Sequence, residues 1–161
     1  MSAGSDADLL FRLSALNSAY AAAIDADRLE EWPDFFVADC LYKVTTAANY
    51  ADGLAGGVIY ADSQGMLRDR VMALRKANIY EPQSYRHLIG MPMILKRVDS
   101  GIHCETPFFV ARIMRDGAMS LFATGRYIDL VRETPDLGLR LMERIVVCDS
   151  ARFDTLLAIP L

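Results

Sequence analysis

IHCETPFFVARIMRDGAMSLFATGRYIDLV, residues 102–131, is the stretch whose reading decides the fold. Ile102 to Met114 alternates in the two-residue period of a strand, and Ser120 to Val131 follows as a second strand. Between them Asp116-Gly117 is a hairpin signal, because both positions tolerate positive φ. With those two residues as the loop, Arg115 faces Ala118 and Val110 falls opposite Ala123. Working outward, Tyr85 to Val98 reads as strand, turning at Asp99-Ser100-Gly101, and Leu139 to Cys148 closes a set of long antiparallel strands. In the last of these, Leu141, Ile145 and Val147 share one face, interrupted by Glu143. Met142, Val146 and Cys148 share the other with Arg140 and Arg144. A two-layer domain keeps one sheet face polar, yet here both faces mix apolar residues with charges. One must cover helices, so the other is expected to meet another protein surface.

The helices lie upstream. Leu9, Leu13, Leu16, Tyr20 and Ile24 recur at helical spacing after a cap at Ser5 or Asp6. Asp27 with Glu30 reads as a capping box opening a short second helix, buried through Leu29 and Trp32 and ended by Pro33. Phe35-Phe36 leads into a strand over Cys40 to Thr46. Ala47 to Gly57 reads as a Gly- and Ala-rich loop, and Val58 to Ala61 as a short strand. Asp62 or Ser63 caps a third helix with Leu67, Val71 and Leu74 on one face. Asn78 to Ser84 is expected to be an ordered connection. Helices first and strands last is the order of a segregated α+β domain, here a single one over residues 1–161.

Composition narrows the function classes. Of 161 residues, 53% are apolar and 24% charged, which suits one large core and argues against disorder. A net charge of −4, with arginines scattered among acids as in Arg68-Asp69-Arg70, argues against nucleic acid and anionic membranes. No apolar run approaches the roughly 20 residues of a spanning helix. Met1 to Asp6 lacks the regions of a signal peptide, so a cytoplasmic location is expected. The three cysteines are widely spaced, with no C-x-x-C pair, and read as reduced buried thiols.

Chemistry finds little support. His87 and His103 are the only histidines, too few for a metal site without exact placement beside a carboxylate, and no Cys-x-His element for a Rieske cluster exists. There is no G-x-S-x-G elbow and no P-loop. No catalytic, cofactor-binding or metal-binding residue is therefore assigned. One alternative stays open: Asp39 beside Tyr42, with His87 or His103, lining a pocket of a free-standing isomerase, dehydratase or small-ligand binder. The plainer reading of those residues is a turn cap, core packing and a satisfied histidine.

Several elements then occur in a familiar order. Asp27-Arg28-Leu29-Glu30-Glu31-Trp32-Pro33-Asp34-Phe35-Phe36 precedes Asp39-Cys40-x-Tyr42. Met66-Leu67-x-Asp69-Arg70-Val71 precedes Tyr85-Arg86-His87-Leu88, and Gly125-Arg126-Tyr127-x-Asp129 precedes Arg144-x-x-x-Cys148-Asp149-Ser150. From about Leu9 to Leu161 the chain resembles the β (small) subunits of Rieske-type aromatic-ring-hydroxylating dioxygenases. Ala61-Asp62-Ser63-Gln64, Ala77-Asn78-Ile79-Tyr80-Glu81 and Asp154 to Leu161 carry a narrower likeness to the terephthalate dioxygenase branch. Ile89-Gly90-Met91-Pro92 departs from the family pattern, in which an Asn commonly follows the Arg-His-Leu element.

The resemblance implies an NTF2-like (cystatin-like) cone, with N-terminal helices packed in a curved, mainly antiparallel sheet. It implies a β3 trimer beneath three catalytic α subunits, α3β3, in aromatic compound catabolism, with an aromatic carboxylate as substrate. The α subunit would carry a Rieske [2Fe-2S] cluster and mononuclear Fe(II), served by a reductase or ferredoxin, and the β chain would be inactive alone. Tyr85, Arg86, His87, Arg112, Arg126, Arg140 and Glu143 are the expected subunit-interface residues.

Overall fold

The computed structural model describes residues 5–77, 82–152 and 157–161. Helix α1 spans Asp6–Asp25 and starts where the Ser5 hydroxyl accepts the Asp8 N–H at 3.2 Å. Asp6 and Asp8 lie in its first turn, where the helix dipole favours negative charge. Leu9, Leu13, Leu16, Tyr20 and Ile24 are all buried, as their spacing predicts. The chain then reverses through Asp27 at φ 59° into a 3-10 helix, Leu29–Phe35.

The expected capping box does not form there. Asp27 is left-handed, and its carboxylate and that of Glu30 both bind the Arg75 guanidinium, each at 2.8 Å. Pro33 lies inside the 3-10 helix rather than ending it. Strand β1, Phe36–Thr46, follows. Part of the expected loop is a short helix α2, Ala47–Ala51, begun by the Thr46 hydroxyl accepting the Asn49 N–H. After β2, Ile59–Ala61, the Ser63 hydroxyl accepts the Met66 N–H at the start of α3, Gln64–Ala77. Leu67 and Val71 of α3 are buried and Leu74 is partly so. Residues 78–81 of the expected connection lie outside the described residues.

The run Tyr85 to Val98 is two strands rather than one: β3, Gln83–Ile89, and β4, Met93–Val98. Pro92 has no N–H to donate to a ladder. A side chain at Gly90 would meet the Pro107 ring at 2.7 Å, so the backbones cross closely there. Both strands pair with β5, Gly101–Met114, along successive stretches. Strands β6, Met119–Thr134, and β7, Gly138–Cys148, complete the sheet. Its order is β2-β1-β7-β6-β5-β3, with β4 also on β5. Among the described residues, only β1 and β7 pair in parallel.

Register shifts occur in four of the described strand pairings, and those on β6 and β7 set which residues of the long strands face inward. Val110 does lie opposite Ala123, but by another route than a two-residue loop. The Met114 N–H bonds the Ala118 carbonyl, leaving a three-residue loop with Gly117 at φ 87°, so Arg115 has no partner across the turn. An extra residue, Phe122, then restores the register, because Ala111 faces Leu121 while Val110 faces Ala123. On β7, Val131 faces Leu141 and Leu130 faces Glu143, so Met142 is extra. Inserting one residue flips the parity of everything beyond it. Leu139 and Leu141 before the bulge, and Arg144, Val146 and Cys148 after it, all turn into the buried interior. This overturns the grouping of Leu141 with Ile145 and Val147.

Candidate functional site

The concave side of the sheet is where a cone of this kind would hold a ligand. Around Tyr20, Tyr42 and Tyr127 it is packed with side chains, while inward-facing residues also line cavities of about 240 Å³ at Ile24, Asp25, Tyr85 and Ile159 and about 650 Å³ at Arg112, Phe122 and Ala123. Tyr20, Trp32, Tyr42 and Tyr127 are completely buried. Phe108 stacks on Tyr127 with ring centres 4.5 Å apart, and Trp32 meets Tyr42 edge-on at 5.0 Å. The Leu161 carbonyl accepts hydroxyl bonds from Tyr20 at 2.7 Å and Tyr42 at 3.1 Å, so Leu157 to Leu161 are drawn into the same interior. Met66, Met72, Met91, Met93 and Met119 are exposed and take no part in the plug.

Two charged pairs cross this interior. Opposite each other on β6 and β7, Asp129 and Arg144 form a bidentate bridge at 2.9 and 2.7 Å. Asn17 Oδ1 accepts from the same guanidinium at 2.6 Å. The rings of Tyr127 and Tyr20 enclose it at 4.0 and 4.4 Å. Burial works against a charge on Arg144, but Asp129 outweighs it and holds the guanidinium ionised. At the end of α1, Asp25 accepts from the His87 backbone N–H at 2.8 Å and meets His87 Nδ1 at 2.6 Å. That pair ties the helix to β3. Both arrangements are clamps between elements, and aromatic packing leaves no room for a substrate beside Arg144.

Strand alternation divides the expected interface residues. Tyr85, His87 and Arg112 face inward and are buried, with Arg112 4.9 Å from the Phe122 ring centre. Arg86, Arg126, Arg140 and Glu143 lie on the outer side, where Arg126 approaches Glu105 at 3.9 Å. The pocket residues do not converge: Asp39 is exposed, Tyr42 is sealed against Leu161, and His103 lies on the outer side opposite Leu130. Asp25, Asn17 and Asp129 were absent from the expected set. Their partners lie 62, 127 and 15 residues away, so only the fold joins them.

Nor do these residues fit an iron centre. Among the described residues no three His, Cys, Asp or Glu side chains come together, and His87 Nδ1 is committed to Asp25. Cys40, Cys104 and Cys148 are separate and buried, and burial pushes their thiols up to about 11, 12 and 12. None supplies a thiolate at neutral pH. No described helix is long and apolar enough to cross a membrane.

The outer face is different. Leu88 stands opposite Phe109, and Leu121 is one row along, opposite Ala111. They are 60%, 42% and 65% exposed, and Met93 of β4, opposite Glu105 further along β5, is exposed as well. The signal was in the quoted stretch, where large apolar residues occupy outward as well as inward positions.

Helices packed against a curved, mainly antiparallel sheet, with aromatic side chains between them and apolar side chains exposed on the outer face, define an NTF2-like cone. The model of the ring hydroxylating beta subunit family matches residues 19–155. The chain is 51% identical to the beta 1 subunit of the terminal oxygenase component of terephthalate 1,2-dioxygenase from Comamonas sp. over 150 residues, covering 93% of this chain and 97% of that one. It is 39% identical to the anthranilate 1,2-dioxygenase small subunit of Burkholderia cepacia, covering 94% and 93%. A crystal structure from Novosphingobium aromaticivorans DSM 12444, assigned as the beta subunit of an aromatic-ring-hydroxylating dioxygenase, superposes with a TM-score of 0.86 at 38% identity, covering 95% and 97%. The chain belongs to the β-subunit family of aromatic-ring-hydroxylating dioxygenases, close to the terephthalate dioxygenase subunits.

Proposed function

We propose that this chain is a non-catalytic structural subunit, a single domain over residues 1–161. It assembles as a β3 trimer under three catalytic α subunits, in an α3β3 oxygenase acting on an aromatic carboxylate in the cytoplasm. The α subunit supplies the Rieske [2Fe-2S] cluster and the mononuclear Fe(II), and a reductase or ferredoxin delivers electrons to it. The observation that carries this reading is the contrast between a plugged interior and the exposed apolar row Leu88, Phe109 and Leu121. Soluble monomers rarely keep such a patch uncovered, and closed cyclic symmetry covers it. Outward Arg86, Arg126, Arg140 and Glu143 would set register at the contacts, adding specificity more than affinity.

Tyr85, His87 and Arg112 would act from beneath, by holding β3 and β5 in shape for the contact. Light scattering at micromolar concentration is expected to give three times the chain mass. Leu88→Ser combined with Phe109→Ser should lower that mass while leaving the circular dichroism unchanged. A wild-type chain that is strictly monomeric at that concentration would defeat the trimer.

A further inference from the structure

We propose that the slot between α1, β1 and α3 is a binding site for a short apolar peptide, which this chain fills with its own residues 157–161. Those five residues take no helical or strand conformation, and among the described residues none forms a backbone-to-backbone hydrogen bond. Side chains from three elements hold them instead. Arg70 of α3 donates to the Leu157 carbonyl at 3.1 Å. Tyr20 of α1 donates to the Leu161 carbonyl at 2.7 Å. Tyr42 of β1 meets Leu161 twice, donating to its carbonyl at 3.1 Å and accepting its N–H at 3.2 Å. Burial pushes both phenols above their ordinary value, so they stay protonated at neutral pH.

These contacts read peptide backbone at both ends of the segment and apolar side chains between. Leu157, Ile159 and Leu161 are buried, and Pro160 brings no N–H that would need an acceptor inside. A mostly apolar cleft with a few polar groups fixing orientation is the usual form of a ligand site. The slot also holds more donor capacity than the segment uses. Arg70 keeps a buried Nε–H without an acceptor, and it forms no ion pair among the described residues. Simple core packing requires neither the backbone clasp nor the spare donor. A segment outside the strand ladder opens at lower cost than the sheet around it, so the slot can exchange its occupant.

The proposal stands apart from the subunit reading, since both measurements use this full chain by itself. In the wild-type chain, hydrogen exchange should release the Ala158, Ile159 and Leu161 amides together, roughly a hundredfold or more faster than those of Tyr127 and Val146. Leu157→Ser with Leu161→Ser loosens the chain's own segment. That double variant, isotopically labelled, is titrated with the probe acetyl-Leu-Ala-Ile-Pro-Leu. Saturable shifts are expected at the amides of Tyr20, Tyr42 and Arg70, and none with a peptide carrying serine in place of both leucines. Adding Tyr42→Phe should weaken the probe about five- to tenfold, as for the loss of one buried hydrogen bond. Should the double variant not fold, the wild-type exchange decides alone. Exchange of the 158–161 amides only together with those of the sheet would overturn the site. So would a folded double variant that ignores the probe, or one that binds it equally well without the Tyr42 hydroxyl.

Discussion

Phe108 and Phe109 are neighbours on one strand with opposite roles. Phe108 is 5% exposed and stacked on Tyr127 inside the cone, while Phe109 is 42% exposed beside Leu88 on the outer sheet. The same division runs through the sheet: one face is spent on folding, with Asp129–Arg144 and Asp25–His87 joined across it, and the other leaves apolar side chains exposed. A sequence that alternates apolar with apolar therefore encodes a packed inner face and, on the reading proposed above, a second interface beyond the chain.

The two phenylalanines give the largest test of that difference. Phe108→Ala should cost about 3–5 kcal/mol of chain stability in urea unfolding, the usual range for emptying an aromatic site in a core. Phe109→Ala should stay within about 0.5 kcal/mol, as for a surface position, and instead weaken self-association. Equal losses of stability at both positions would erase the distinction between the faces.

A smaller net effect is expected at the buried pair once both partners change. Asp129→Ala alone leaves Arg144 charged and uncompensated, for a loss of about 3–5 kcal/mol. Asp129→Leu with Arg144→Met should recover most of that, because the pair fixes the register of β6 on β7 more than it stabilises the fold. A double variant as unstable as the single one, by thermal and urea unfolding, would assign the pair a stabilising role.

Much of this was legible in the residues. The apolar spacing from Leu9 to Ile24 locates α1 and its buried stripe, and Asp116-Gly117 with its flanks locates the central hairpin. The bulges at Phe122 and Met142 were not legible, since neither position carries a glycine or other local mark and each arises from how two strands meet. Asp27 was misread because the capping pattern is local, whereas its carboxylate is claimed by Arg75 from a distant helix. The outer face was readable as an excess of apolar positions, but not which of Tyr85, Arg86 and His87 turned outward. That needed the register, and His87 needed Asp25 to explain its burial.

The smallest expected effect lies on the exposed rim, where the contrast with the interior is sharpest. Hydrogen bonding by Arg75 holds the Glu30 carboxyl at about 2, below its ordinary range. A depressed carboxyl contributes its stability in full above the unfolded value of about 4.3, and loses it as pH falls through about 2. Because Glu30 is largely exposed, the contribution should be only about 0.2–1 kcal/mol. Arg75→Gln should flatten the stability profile between pH 4.3 and 2 by that amount, read from urea midpoints. An unchanged profile would show that the pair contributes nothing in solution.

Turnover tests the division of labour most directly. The purified chain, its catalytic α partner and the electron-transfer reductase are assayed separately and together with terephthalate, following cis-diol product. The expected result is no product from this chain with reductase alone, product only when the α partner is present, and a higher rate when this chain joins it. Product formed by this chain and reductase without the α partner would contradict a purely structural role.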